Sequence, residues 1–136
     1  VNSFGDIFDC EAAKQIAGVY DYDKKEMLNT YSIMKSQLKP AGFPMKNTTI
    51  AVVATNAILT KAETNKLASM AHNGFARSIN PVHTMFDGDT IFAMATNEIR
   101  SDLNLAGTMA VEAISKSITN ALISAKPCHG LIACSS

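Results

Sequence analysis

The tripeptide Asn47-Thr48-Thr49 stands directly before an apolar run, Ile50 to Ala54, and the chain later carries Phe86-Asp87-Gly88-Asp89. A threonine at the head of a strand, with acidic side chains able to fold back onto it, has the makings of a nucleophile. Its hydroxyl is weak at neutral pH and needs a base. Were Thr48 the first residue of a chain, its own α-amine, with a pKa of about 7.7–8.0, would supply one. Partial burial would lower that value and enlarge the neutral, base-competent fraction. The bond to Asn47 must break first. The same hydroxyl can break it, by attacking the preceding carbonyl in an N-to-O acyl shift whose ester water then hydrolyses.

Asp87 and Asp89 are the candidates to orient that hydroxyl and amine, one of them holding a proton if the two crowd each other. Gly88 is read as a tight-turn residue with φ > 0 that swings both carboxylates toward the strand end. A developing oxyanion needs donors, and the side-chain amide of Asn2 is a candidate. No metal or organic cofactor is called for, because nucleophile, base and donors can all be protein groups. Spacing alone leaves plainer readings open: a threonine before a β-run is a common strand former, and Asp-Gly-Asp is a common solvated turn. His72 is read as a packed or surface histidine and His83 as a residue for local hydrogen bonding. Asn47-Thr48-Thr49 also satisfies the glycosylation sequon, which is idle without a secretory signal.

The elements that must position these residues divide at Asn47. Downstream, Thr49 to Thr55 is a continuous β-prone run, expected to be covered on both faces. Thr60-Lys61-Ala62-Glu63 forms a capping box that opens a helix, with Leu67, Met70, Ala71, Phe75 and Ile79 on one face and Pro81 closing it. Ile91 to Thr96 reads as a second buried strand. A last helix runs from about Ser101 to Ala125, carrying Leu105, Met109, Ala110, Ile114, Ile118 and Leu122 at helical period. The order β-α-β-α predicts helices layered on a sheet.

Upstream, Val1 to Phe8 reads as the end of a strand punctuated by Gly5-Asp6. Asp21 to Leu38 is a predicted helix stopped by Pro40, and Gly42-Phe43-Pro44 opens a loop to Asn47. The methionines read as core filler.

The 136 residues suit one domain. Twelve basic and twelve acidic residues cancel, and no Lys/Arg cluster suggests a nucleic-acid or anionic-membrane partner. No apolar stretch approaches the roughly 20 residues that span a bilayer. Three cysteines, Cys10, Cys128 and Cys134, are too few and scattered for a disulfide framework, which favours a reducing, cytoplasmic setting. They fit no zinc spacing and are read as tail residues. A start at Val1-Asn2-Ser3 without initiator Met or signal peptide suggests a chain that begins inside a larger protein.

Four stretches in order, Asn47 to Asn56, Met70 to Arg77, Ile79 to Thr84 and Phe86 to Thr90, together resemble the P1 family of peptidases. These are the D-aminopeptidase and amidase relatives, and the match is nearest to the Thr-nucleophile branch that hydrolyses nylon (6-aminohexanoate) oligomers. The resemblance implies an α/β (α+β) fold, the α-β-β-α sandwich of the N-terminal-nucleophile type. It implies a precursor that cuts itself between Asn47 and Thr48, and assembly of several αβ units into a homo-oligomer. By motif, Thr48 is the nucleophile, Asp87 and Asp89 its acidic partners, and Asn2 an active-site or oxyanion residue. Residues 1–47 then correspond to the end of the α-chain portion with the processing loop, and 48–136 to the β-chain portion. Family precursors are more than twice as long, so the partners are a small peptide or amide substrate and the missing N-terminal portion of the same precursor. The fragment alone is expected to be inactive or nearly so. Two other functions compete: an acyltransferase of the ornithine acetyltransferase type, for which glutamate would accelerate loss of an acetyl donor, and a non-catalytic interaction domain whose Asn47–Thr48 bond stays intact.

Overall fold

The computed structural model describes residues 1–36 and 47–134 and shows mixed helix and strand, an α+β arrangement. The elements are β1 (Asp6–Asp9), β2 (Lys14–Ala17), β3 (Tyr20–Asp21), β4 (Glu26–Met27), α1 (Thr30–Ser36), β5 (Ile50–Ala57), α2 (Lys61–Ser78), β6 (Ile79–Asn80), β7 (Thr90–Ile99) and α3 (Leu103–Ser124). Downstream of Asn47 the order is β5-α2-β6-β7-α3, the expected β-α-β-α with a two-residue strand added, and that strand takes Ile79, which was expected on the helix face. β5 and β7 pair in parallel, Ile50 opposite Thr90 through Thr55 opposite Ala95, and parallel neighbours require a crossover such as α2 supplies.

The capping box forms as the sequence predicts. Thr60 accepts from the Glu63 amide, and the Glu63 carboxylate accepts from the Thr60 amide, relieving two of the donors that a helix start leaves unpaired. Leu67, Ala71 and Phe75 are fully buried along one face of α2. α2 packs on α3 at Gly74, where a Cβ would lie 2.7 Å from Ile114, so glycine sets how closely the two helices approach. Asp102 caps α3 by accepting from the amides of Asn104 and Leu105. Leu105 and Met109, expected inward, are exposed, while Ala110, Ile114 and Ile118 fill the core.

Only one face of the β5–β7 pair is covered. Ile50, Val52, Phe92 and Met94 are more than half exposed, against the expectation of strands enclosed on both sides. Side chains alternate across a strand; α2 and α3 take one face, and among the described residues no layer covers the other.

The upstream half departs further from expectation. Asp6 opens β1 rather than punctuating a strand end, and it is buried, accepting from the Thr30 amide at 2.7 Å and the Thr30 hydroxyl at 2.6 Å. β1 pairs antiparallel with β2 on one side and with β6 on the other, so residues before and after Asn47 share one sheet. Of the helix expected over Asp21–Leu38, the described residues form a β3–β4 hairpin followed by the short α1. The Asp21 carboxylate accepts from the amides of Asp23 and Lys24, which turns the chain, and Asn29 starts α1 by accepting from the Ser32 amide. The expected stop at Pro40 and the Gly42-Phe43-Pro44 loop lie outside the described residues. Cys10 is not a tail residue: its thiol meets the Arg77 carbonyl at 2.7 Å and the Ser115 hydroxyl at 3.3 Å. Nor are the methionines uniformly core filler, since Met85 is wholly exposed.

Candidate active site

Residues 47–49 extend the parallel ladder upstream of β5. The Asn47 amide donates to the Phe86 carbonyl at 2.8 Å, the Gly88 amide to the Asn47 carbonyl at 2.8 Å, and the Thr90 amide to the Thr49 carbonyl at 2.9 Å. On the other side the Thr48 amide donates to the Asn2 carbonyl and the Asn47 side-chain amide to the Ser3 carbonyl, both at 2.8 Å. Thr48 thus sits between two flanking segments, each fixed by backbone hydrogen bonds. Alternation puts Thr49 in the interior and Thr48 on the exposed side with Ile50 and Val52.

The segment Asp87-Gly88-Asp89 is extended and not a tight turn, which corrects the expectation for Gly88: its φ lies outside the left-handed region. The turn falls earlier, where the Asp87 amide donates to the Thr84 carbonyl at 3.0 Å. What Gly88 provides is room. A Cβ there would lie 3.0 Å from the Thr48 hydroxyl oxygen, and that hydroxyl donates to the Asn47 carbonyl at 2.8 Å.

Asp87 and Asp89 flank Gly88, whose amide meets this carbonyl, and both carboxylates are occupied by other donors. Asp87 Oδ1 accepts from the Phe4 amide at 3.0 Å, and Oδ2 from the Thr84 hydroxyl at 2.7 Å and the Thr84 amide at 3.2 Å. The Phe4 and Phe86 rings pack with centres 5.0 Å apart, tilted by 38°. Asp89 Oδ1 accepts from the Thr49 amide at 3.2 Å, while Oδ2 lies 2.9 Å from His83 Nδ1. Neither carboxylate is hydrogen-bonded to the Thr48 hydroxyl; both tie neighbouring segments to the strand that carries it. The contact of Asn2 with Thr48 runs through its main-chain carbonyl, an acceptor, and not through the side-chain amide that an oxyanion would need.

Two residues carry more of the geometry than their sequence context indicates. Gly88 supplies a backbone donor, invisible to any reading of side-chain types. His83 has a φ of 54° and joins Asp89 to His72, whose ring centre is 4.9 Å away. Burial holds the His72 pKa below the usual imidazole range, the positive charge His83 can carry adds to this, and the nearby Asp89 carboxylate partly opposes it. Among the described residues no group of three or more His, Cys, Asp or Glu side chains is placed to hold a metal, and no helix is long and apolar enough to cross a membrane.

The sequence model of peptidase family S58 matches residues 11–133 of the 136. The chain belongs to peptidase family S58. The chain is 34% identical over 101 residues to a 6-aminohexanoate-oligomer endohydrolase of Agromyces sp., covering 72% of this chain and 28% of that one. It is 32% identical over 100 residues to an uncharacterized aminopeptidase of Mycobacterium bovis, covering 62% of this chain and 29% of that one. With a counterpart in Mycobacterium leprae it shares 51% identity over 55 residues, covering 40% of this chain and 15% of that one. The chain therefore spans less than a third of the length of these relatives. The family is named for peptidases, and these relatives are named as uncharacterized aminopeptidases and an oligomer endohydrolase.

Proposed function

We propose that this chain is part of a self-processing amidohydrolase of the N-terminal-nucleophile kind, with Thr48 as nucleophile. The observation that carries this reading is the 2.8 Å contact between the Thr48 hydroxyl and the carbonyl of Asn47, at a junction held on both sides by backbone hydrogen bonds. Hydroxyl and acyl group are already neighbours, and such preorganisation removes much of the entropic barrier to reaction.

In the processing step Thr48 Oγ bonds to the Asn47 carbonyl carbon, the C–N bond breaks, and the Thr48 nitrogen takes the hydroxyl proton. Water then cleaves the ester, giving an Asn47 carboxylate and a free Thr48 with its α-amine. That amine replaces the donor now seen on the Asn2 carbonyl, which would hold it beside the hydroxyl it must deprotonate. A peptide or amide substrate follows the same course through an acyl-enzyme on Thr48. Asp87 and Asp89 position the site by fixing the strand and its neighbours.

The open apolar face of β5–β7 is the docking surface for the upstream portion of the same precursor, which would complete an α-β-β-α sandwich; the cut after Asn47 leaves 1–47 as the end of the α-chain portion and 48–136 as the β-chain portion. This is supported by four large exposed apolar side chains on that face and by a length under a third of the relatives. The isolated chain is then inactive or nearly so, and the complete enzyme is a cytoplasmic homo-oligomer. The test is intact mass and N-terminal sequencing of the protein expressed from its own start codon, followed by assay on amide substrates. A fragment starting Thr48-Thr49-Ile50 with amide turnover is expected; a single uncut chain would overturn the reading.

A further inference from the structure

We propose that the backbone amide of Gly88 is the oxyanion donor for cleavage of the Asn47–Thr48 bond. Once Asn47 has left, the same amide serves the acyl carbonyl of the substrate. This rests on the self-processing reading and names the group that stabilises its charged intermediate.

Two donors converge on one oxygen. The Asn47 carbonyl accepts from the Thr48 hydroxyl and from the Gly88 amide, each at 2.8 Å. When Thr48 Oγ adds to the carbonyl carbon, the C=O electron pair moves onto that oxygen, and the hydroxyl gives up its proton toward the departing nitrogen. The Gly88 N–H is the donor that stays in place while the charge develops. The adjacent ladder bonds, Asn47 amide to Phe86 carbonyl and Thr90 amide to Thr49 carbonyl, hold Gly88 in register from both sides. A donor fixed in this way needs no reorganisation during the step.

The residue type points the same way. Gly88 has no positive φ that would demand glycine, so its lack of a side chain answers to space: a Cβ would be 3.0 Å from the Thr48 hydroxyl oxygen and 3.8 Å from the Asn47 carbonyl oxygen. Asp87 and Asp89, pinned by Phe4, Thr84, Thr49 and His83, hold the peptide between them. In this arrangement the two acids are positioning residues for a backbone donor.

The test replaces the Gly88 amide by an ester in the protein expressed from its own start codon, using glycolic acid at position 88, and follows conversion to the fragment beginning at Thr48. Gly88→Ala is measured in parallel; it keeps the N–H and adds only bulk. Loss of one oxyanion donor slows catalysis by about 10²–10³-fold, so the ester form is expected to process at least about a hundredfold more slowly than wild type, with Gly88→Ala between the two. An ester form within threefold of wild type, or a Gly88→Ala form slower than the ester form, overturns the proposal. A wild type that never cuts overturns the self-processing reading as well, which separates the two failures. Should the ester form not unfold cooperatively, the decisive measurement is the scalar coupling across the hydrogen bond from Gly88 nitrogen to Asn47 carbonyl carbon in the uncut Thr48→Ala protein. Its presence supports the proposal and its absence overturns it.

Discussion

Asp89 and His83 are joined by a 2.9 Å contact between Oδ2 and Nδ1, with the Asp89 carboxylate 3% exposed and the His83 ring 38% exposed. The imidazole is the one side chain among the described residues that hydrogen-bonds this enclosed carboxylate, whose other oxygen serves the Thr49 amide. Removing it leaves a nearly buried acceptor without its partner, which costs more than the bond itself contributes. His83→Ala is expected to lower stability by about 1 kcal/mol after allowance for the ring's exposure, read as an earlier urea midpoint with an unchanged slope. An unchanged midpoint would mean that Asp89 needs no support from His83.

Thr48 is the residue on which the proposed chemistry turns. Thr48→Ala in the protein expressed from its own start codon is expected to abolish both processing and amide hydrolysis. Thr48→Ser keeps a hydroxyl and should retain some of each. Mass spectrometry of the purified proteins reads the first effect and a substrate assay the second. Processing that survives Thr48→Ala would move the nucleophile to another residue.

The downstream half of the fold was legible because its signals are long. α2 announces itself by the Thr60–Glu63 box and a periodic face ending in Phe75, and β5 and β7 by apolar runs on either side of it. Upstream, β3 and β4 have two residues each, too few for any period to show, and they form because the Asp21 side chain turns the chain between them. At the site, the proximity of Thr48 to Asp87 and Asp89 could be inferred from motif order. Which donors each carboxylate would meet could not, since Phe4 and Asp87 are brought together only by tertiary pairing. Gly88 was misjudged for a physical reason: glycine serves turns and close approaches alike, and only the neighbouring Thr48 hydroxyl tells which applies here.

The Thr49 hydroxyl is buried and has no hydrogen-bond partner among the described residues. An unpaired buried hydroxyl is unfavourable by about 1–3 kcal/mol, whereas the Thr49 amide and carbonyl are engaged by Asp89 and Thr90. Thr49→Val keeps the β-branched shape and the backbone bonds while removing the hydroxyl. It is expected to raise the isolated chain's unfolding temperature by a few degrees. A lower Tm would show that the hydroxyl has a partner, an ordered water for example, that compensates its burial.

His72 gives the chain a pH dependence whose sign follows from its surroundings. Burial, and then the neighbouring His83, lower its pKa in the folded state, so between that lowered value and the ordinary value near 6.5 the unfolded chain binds the extra proton. The stabilisation is complete above about pH 6.5 and is lost as the pH falls through this window toward the folded-state pKa. The nearby Asp89 carboxylate works against the shift and narrows the window. Thermal melts from pH 7.5 down to pH 5 should therefore show falling Tm, and His72→Phe, which preserves a ring against Phe75 and His83, should flatten part of that fall. An equally steep fall in His72→Phe would assign the acid sensitivity to other groups.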